Sequence, residues 1–424
     1  MSHLALACLA AISSAGAMAA DVVITADRLL DVRAGRMIQK PEILVRDGKV
    51  VSVKPNAGAP AAGDTATRIA LPGMTLVPGL IDMHVHLDSD PTYGGYTGLE
   101  YSDRFWSALS VAHAGKTLDA GFTTVRNLGA SDWNDVGLGQ AIAAGKVRGP
   151  RIVPAAWSFG PTGSHCDSTY FPPSMDEKNP YNADNPDEVR KSIRALRKYG
   201  AQVIKICATG GVFSRNTEPG QQQMNLGEMR AAVEEAHQWG LQVAAHAHGA
   251  AGIKDAIRAG VNTIEHASLI DDEGIALAKK HGAWLSMDIY NGDYTAAEGK
   301  KNGVLEDNLR KDREVTDIQR QNFRKAHAAG VKMVYGTDAG VHPHGGNGKQ
   351  FAVMVKYGMT PLQAIQAATI NASEALARKD IGIVEAGRFA DMVAVQGDPT
   401  ADVTLLEAPA VVIQGGTVVK RNAP

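Results

Sequence analysis

From residue 75 to residue 337 the chain alternates between short apolar runs that end in polar residues and longer stretches with helical spacing. The strand-like runs fall at 75–87, 123–128, 151–158, 203–208, 242–248, 263–267, 284–289 and 333–337. Segments such as 187–199, 226–240, 253–259, 273–281 and 315–329 lie between them and carry apolar residues on one helical face. Strands apolar on both faces belong in a parallel sheet covered by helices. The class is therefore α/β, and about eight β-α units close naturally into a (β/α)8 TIM barrel. An open doubly wound sheet is the competing arrangement, but no Gly-rich phosphate turn follows the first strand to support it.

The two ends of the chain read differently. Val22-Val23-Ile24, Ile43-Leu44-Val45 and Val50-Val51-Ser52-Val53 are short strands punctuated by turns such as Arg46-Asp47-Gly48-Lys49. Met392-Val393-Ala394-Val395 and Ala410-Val411-Val412-Ile413 repeat the style near the other terminus. Residues 21–77 and 385–424 are expected to build one small flanking β-sandwich, with the barrel at 78–384.

The formal net charge is −2, so nothing points to nucleic acid or to a membrane surface as a partner. Residues 1–20 carry no Asp, Glu, Lys or Arg and end Ala17-Met18-Ala19-Ala20. That pattern reads as a signal peptide cut after Ala19 or Ala20, although the usual positive charge at its start is missing. A secreted or periplasmic location follows. Of the three cysteines, Cys8 leaves with the leader. Cys166 and Cys207 are expected as buried free thiols, with a single bridge as the alternative in an oxidising compartment.

In a barrel of this kind the chemistry sits at the C-terminal strand ends. Strand one ends with His84 and His86, two apart and so on one face. Strand four carries Lys205 inside the apolar run Val203-Ile204-Lys205-Ile206-Cys207. Strand five ends with His246 and His248, strand six with Glu265-His266, and strand eight leads to Asp338. A lysine in a barrel strand is either paired with a carboxylate or driven to its neutral form by desolvation. A neutral amine can take up carbon dioxide, and the carbamate so formed is an anionic ligand able to bridge two divalent cations. Imidazoles suit zinc and similar ions. Two such ions can hold a hydroxide nucleophile between them and polarise a carbonyl. Asp338 is then placed as ligand and as the base that passes a proton to the leaving amine.

Pro78-Gly79-Leu80-Ile81-Asp82-Met83-His84-Val85-His86, Lys205, His246-Ala247-His248-Gly249, Glu265-His266 and Gly336-Thr337-Asp338-Ala339-Gly340 together resemble the metal-dependent amidohydrolase superfamily. Within it the chain resembles the imidazolonepropionase-related branch of prolidase-like, Xaa-Arg-type and ochratoxin-hydrolysing enzymes. The resemblance implies His84, His86 and Asp338 on one metal, His246 and His266 on the other, and carboxylated Lys205 bridging two divalent ions, expected to be Zn2+. Same-face logic admits either His246 or His248 as the strand-five ligand. The spacing to His266 resembles the branch best with His246, which leaves His248 beside the substrate carbonyl. Softer candidates for substrate contact are His165, in a segment resembling Gly-His-Gly-Asp, and Arg215, Tyr290 and His344. The implied substrate is a small amide or dipeptide with a C-terminal amino acid, and the implied assembly is a homo-oligomer, with an octamer as one form.

Two competing functions have distinct signatures. A mononuclear deaminase or cyclic-amide hydrolase of the same superfamily usually lacks the strand-four lysine and places a Glu after the strand-five histidine. Here Lys205 is present and His246-Ala247-His248-Gly249 contains no Glu. A non-catalytic scaffold would have lost ligand positions, and all six stand.

Overall fold

A computed structural model describes residues 21–56 and 66–422. The expected leader at 1–20 lies outside these residues.

Eight strands form the barrel. In chain order they are β1 (Leu80–Val85), β2 (Phe122–Asn127), β3 (Arg151–Pro154), β4 (Val203–Cys207), β5 (Gln242–Ala247), β6 (Thr263–His266), β7 (Trp284–Ser286) and β8 (Met333–Val334). β1, β2 and β3 pair in parallel, and β4 through β8 pair in parallel. Parallel bridges Phe159–Ile206 and Val85–Ala339 close the two seams and complete the circle. The strand interiors are fully buried because helices cover the outside, which is why these strands read as continuous apolar runs rather than alternations.

The expected first strand over 75–87 is two strands belonging to two domains. Thr67–Pro78 lies in the flanking sheet and β1 follows after Gly79. A Cβ at Gly79 would collide with Thr123 and Asp391, and its backbone N–H donates to the Asp391 carbonyl at 2.8 Å. This residue is the joint between barrel and flanking domain, and only glycine fits it.

The flanking domain is built from both chain ends, as one eight-stranded mixed sheet. Thr67–Pro78 pairs in parallel with Val22–Asp31 on one side and antiparallel with Met392–Gln396 on the other. Ile24, Ile43, Leu76, Met392 and Ile413 bring the two ends into one apolar cluster.

Helix boundaries follow capping chemistry. Asn225 and Glu228 form a reciprocal capping box at the start of Leu226–Gln238. The helix expected from residue 315 is longer, Glu306–Ala328. Its first turns, Glu-Asp-Asn-Leu-Arg-Lys-Asp-Arg-Glu, carry little apolar periodicity. They are held instead by ion pairs one turn apart, Arg310–Asp307, Arg310–Glu314 and Lys311–Asp307. Among the described residues no helix is long and apolar enough to cross a membrane.

Candidate metal centre

The strand ends of one barrel face converge on a cavity of about 490 Å³. His84 in β1, His86 just past it, Lys205 in β4, His246 at the end of β5, His266 at the end of β6 and Asp338 beyond β8 all line it, together with His165 and His248. Ligand-type atoms fall into groups within 4.8 Å of one another: His84, His86 and Asp338; His246, His248 and His266; and His266, Asp288 and Asp338.

The four imidazoles read as ligands share one arrangement. Each gives one ring nitrogen to an oxygen that can only accept. His86 Nδ1 donates to the Gly129 carbonyl at 3.0 Å, His246 Nε2 to the Gly210 carbonyl at 3.1 Å, and His266 Nδ1 to Asp288 Oδ1 at 2.9 Å. His84 Nδ1 lies 3.1 Å from Glu265 Oε2; the pair is off-line for a full hydrogen bond, but neither buried atom has another partner. An acceptor-only partner requires the proton on that nitrogen, so the second nitrogen keeps its lone pair. His248 differs. Its Nδ1 is 2.8 Å from the Ser268 hydroxyl, which can donate or accept, so this ring is free to take the opposite tautomer.

The freed nitrogens converge. His84 Nε2 and His86 Nε2 lie 3.5 and 3.3 Å from Asp338 Oδ1, and Lys205 Nζ lies 3.4 Å from His84 Nε2. These separations suit several donors facing one shared centre better than direct hydrogen bonds. Burial, with the nearby Lys205 charge, pulls His84 down to about 4, and burial holds His246 and His248 well below the ordinary imidazole value. All three are neutral donors at pH 7. Burial also lowers His266, but the Asp288 charge and hydrogen bond more than offset it and leave it raised. Burial raises the Asp338 carboxyl, yet His84 and His86 hold it far below the usual carboxylate range.

Lys205 is the decisive group. It is buried among apolar strand neighbours, and burial pulls its amine down to about 8 against the opposing pull of Glu265 and Asp338. Among the described residues no carboxylate oxygen lies within 4.0 Å of it. Glu265, the obvious candidate, is taken by Arg126 at 2.7 Å. Arg126 also donates to the Met83 carbonyl at 2.6 Å and to Thr263 Oγ1 at 2.9 Å, spanning the barrel from β2 to β6 beneath His84.

The backbone is distorted where the site is built. His266 and Asp338 have φ of 67° and 56°, in the left-handed region. Each costs of order 1–3 kcal/mol and persists because its surroundings hold it. The Asp338 N–H donates to the His84 carbonyl at 2.7 Å, and the His266 ring is tied to Asp288.

Of the expected substrate contacts, only His165 reaches the cavity, stacked on His246 with ring centroids 4.0 Å apart. Gly211 presses against the His165 ring and Gly210 against the Glu218 backbone, each with no room for a Cβ, which accounts for the Gly210-Gly211 pair. Arg215 lies at the exposed edge and donates to the Tyr96 hydroxyl at 2.9 Å. β7 ends at Ser286, so Tyr290 leaves the barrel to start the helix Asn291–Glu298, its ring against His342. His344 sits behind the wall, its Nε2 donating to the His86 carbonyl at 3.0 Å and its ring stacked on His113.

Cys166 and Cys207 are joined in a disulfide, not free as expected. Cys207 ends β4, and the loop carrying His165 folds back to bring the two Cα atoms within 5.9 Å. Sequence reasoning also passed over Asp288, two residues past β7. Its one signal in the sequence is an acid at the end of an apolar alternation, two residues before Tyr290.

The amidohydrolase family matches residues 75–419. Ochratoxinase of Aspergillus niger is 30% identical over 409 residues, covering 91% of this chain and 84% of that protein. Among solved structures, a Xaa-Pro dipeptidase with bound methionine in its active site superposes with a TM-score of 0.88 at 35% identity, covering 95% of this chain and all of the other (100%). The A. niger ochratoxinase structure superposes at 0.83 with 28% identity, covering 96% of each chain. A match over most of the length, on the barrel that carries the histidines, lysine and aspartate just described, places the chain in the amidohydrolase family.

Proposed function

We propose that the protein is a binuclear metal-dependent hydrolase of the amide bond to a C-terminal amino acid. Dipeptides, N-acyl amino acids and ochratoxin-like amides of phenylalanine are its substrate class. The observation that carries this reading is Lys205: a buried amine with no carboxylate partner among the described residues, amid four imidazoles whose tautomers are set to offer lone pairs. A carbamate on Lys205 would bridge the two ions, with His84, His86 and Asp338 on one and His246 and His266 on the other. The neutral and anionic nitrogen and oxygen donors suit Zn2+. When bound, the ions supply a hydroxide nucleophile at neutral pH and polarise the scissile carbonyl.

The remaining steps fall to the chain's own residues. Asp338 is ionised at neutral pH, takes the proton of the attacking water and passes it to the leaving nitrogen. Asn291 Nδ2, 3.4 Å from Asp338 Oδ2, steadies the second oxygen. His248 can accept from Ser268 at Nδ1 and so present an Nε2–H to the substrate carbonyl oxygen. The His165 ring, stacked on His246, forms one wall of the substrate cavity.

The disulfide supports a secreted or periplasmic location, where such bonds persist. Exposed Tyr96, Leu99 and Tyr101 on one surface segment support a homo-oligomer.

A panel of N-acyl amino acids and dipeptides, assayed for release of the C-terminal residue, tests the reading. Release should stop with chelator and return with zinc plus bicarbonate. No release from any substrate, or release indifferent to chelation, would refute it.

A further inference from the structure

The carboxylates lining the cavity are not equivalent. Asp338 faces His84 and His86. Asp288 accepts from His266, Asn291 and Gln319 at 2.8–3.1 Å. Asp88 accepts from the Ser131 N–H and from Asn134, and Asp167 from the Gly163, Ser168 and Asn179 N–H groups. Asp312 stands apart: it lines the same cavity and is only 8% exposed, yet among the described residues its carboxylate has no hydrogen bond and no ion pair. The arginines nearest to it in charge effect, Arg313 and Arg320, are committed elsewhere, to Glu306 and to Asp293 with the Ile289 carbonyl.

A largely buried carboxylate whose oxygens open only onto a cavity, with no protein donor, is costly to keep ionised. Desolvation and the neighbouring Asp288 charge push Asp312 up to about 6. Asp312 is placed on the helix Glu306–Ala328 with Val315, Thr316 and Gln319, which follow at helical spacing and line the cavity with it. Gln319 touches both Asp288 and the His266 carbonyl, at the metal-type cluster. Asp312 is two turns away, roughly 10 Å along the axis. That is on the scale of a long extended basic side chain or of a whole extended dipeptide, since a single residue spans at most about 3.6 Å.

We propose that Asp312 is the anchor for a cationic group of the substrate, an alkylammonium or guanidinium, and so selects substrates by charge within the cavity. The inference rests on the amide-hydrolase reading for the identity of the molecule that carries the cation. The cation has two possible sources, a basic side chain on the leaving residue or the free N-terminal ammonium of a dipeptide. Both present the same chemistry to the carboxylate.

Calorimetric binding to the metal-loaded full-length protein separates them without turnover. L-arginine against L-citrulline reports a side-chain guanidinium. 5-Aminopentanoate against pentanoate, a glycylglycine-length pair with no amide to cleave, reports an N-terminal ammonium. In the wild type one cationic ligand should bind about 10- to 100-fold tighter than its neutral counterpart, and D312N should erase that ratio. Which ratio collapses names the source. Ratios near one in the wild type, no measurable binding of either cation, or a ratio unchanged in D312N overturns the proposal. Release of phenylalanine from N-acetyl-L-phenylalanine by the wild type, which involves no cation, reports the hydrolase reading separately.

Discussion

Asp288 holds His266 from behind: its Oδ1 lies 2.9 Å from the ring Nδ1, so the opposite nitrogen is the one offered to the cavity. The carboxylate itself is fixed by Asn291 at 2.8 Å and by Gln319 at 3.1 Å. The arrangement sets tautomer, ring orientation and basicity together.

Asp288→Asn keeps the shape but removes the charge and permits the wrong amide orientation. Metal affinity should fall about 10- to 100-fold, measured by competition with a chelating dye. Unchanged affinity would mean that His266 does not depend on its carboxylate.

Arg126→Met should be strongly destabilising. The guanidinium is buried and pairs with the buried Glu265 at 2.7 Å. Removing it strands an ionised carboxylate under His84, which costs about 3–5 kcal/mol. Urea denaturation of the metal-free protein measures the loss. A change below about 1 kcal/mol would show that Glu265 finds another partner or is neutral.

The replacement Asp312→Asn should stabilise the protein, with a definite pH dependence. The carboxyl is raised from 3.8 to about 6, so the folded state binds the proton more tightly than the unfolded chain. Stability therefore falls as pH rises from about 4 to 6, and the deficit persists above 6. The variant lacks this deficit, so its advantage is absent below pH 4, grows across the window and reaches at most about 3 kcal/mol at pH 7. Thermal melts of both proteins at pH 4 and pH 7 test this. An advantage at pH 4 equal to that at pH 7 would assign the effect to something other than the charge.

The Cys166–Cys207 bridge closes a loop of sequence separation 41 and ties the His165 segment to the end of β4. Its removal in a Cys166→Ser, Cys207→Ser double variant should cost about 2–4 kcal/mol. It should also raise KM more than it lowers kcat, because the freed loop lines the cavity and carries no proposed ligand. Mass spectrometry with and without reductant, beside melts of the variant, checks the bond and its contribution.

The barrel and the ligand candidates were legible because both are written in local periodicity. Apolar runs ending in polar residues mark barrel strands, and histidines two apart on a strand share a face. What escaped is what reaches across the fold. Arg126 sits in β2 but acts on Glu265 in β6. Asp288 looks like any acid after a strand until His266 is seen beside it. Cys166 meets Cys207 only because a loop doubles back. Asp312 lies in a charged run that mixes surface ion pairs with the buried Lys311, which donates to the Ser214 carbonyl, and nothing local marks Asp312 as turned toward the cavity. Arg215, Tyr290 and His344 were drawn to the site by their place after strand ends, but the chain turns away from the cavity before each of them.

Metal content measured with and without the lysine tests the central claim most directly. Wild-type protein loaded with zinc and bicarbonate should carry two divalent cations per chain by elemental analysis. Lys205→Ala should lose at least one of them and at least about 100-fold in activity, with partial recovery of both on adding a short carboxylic acid. Fully active wild-type protein with a single cation, or a Lys205→Ala variant with full metal content and full activity, would contradict the account.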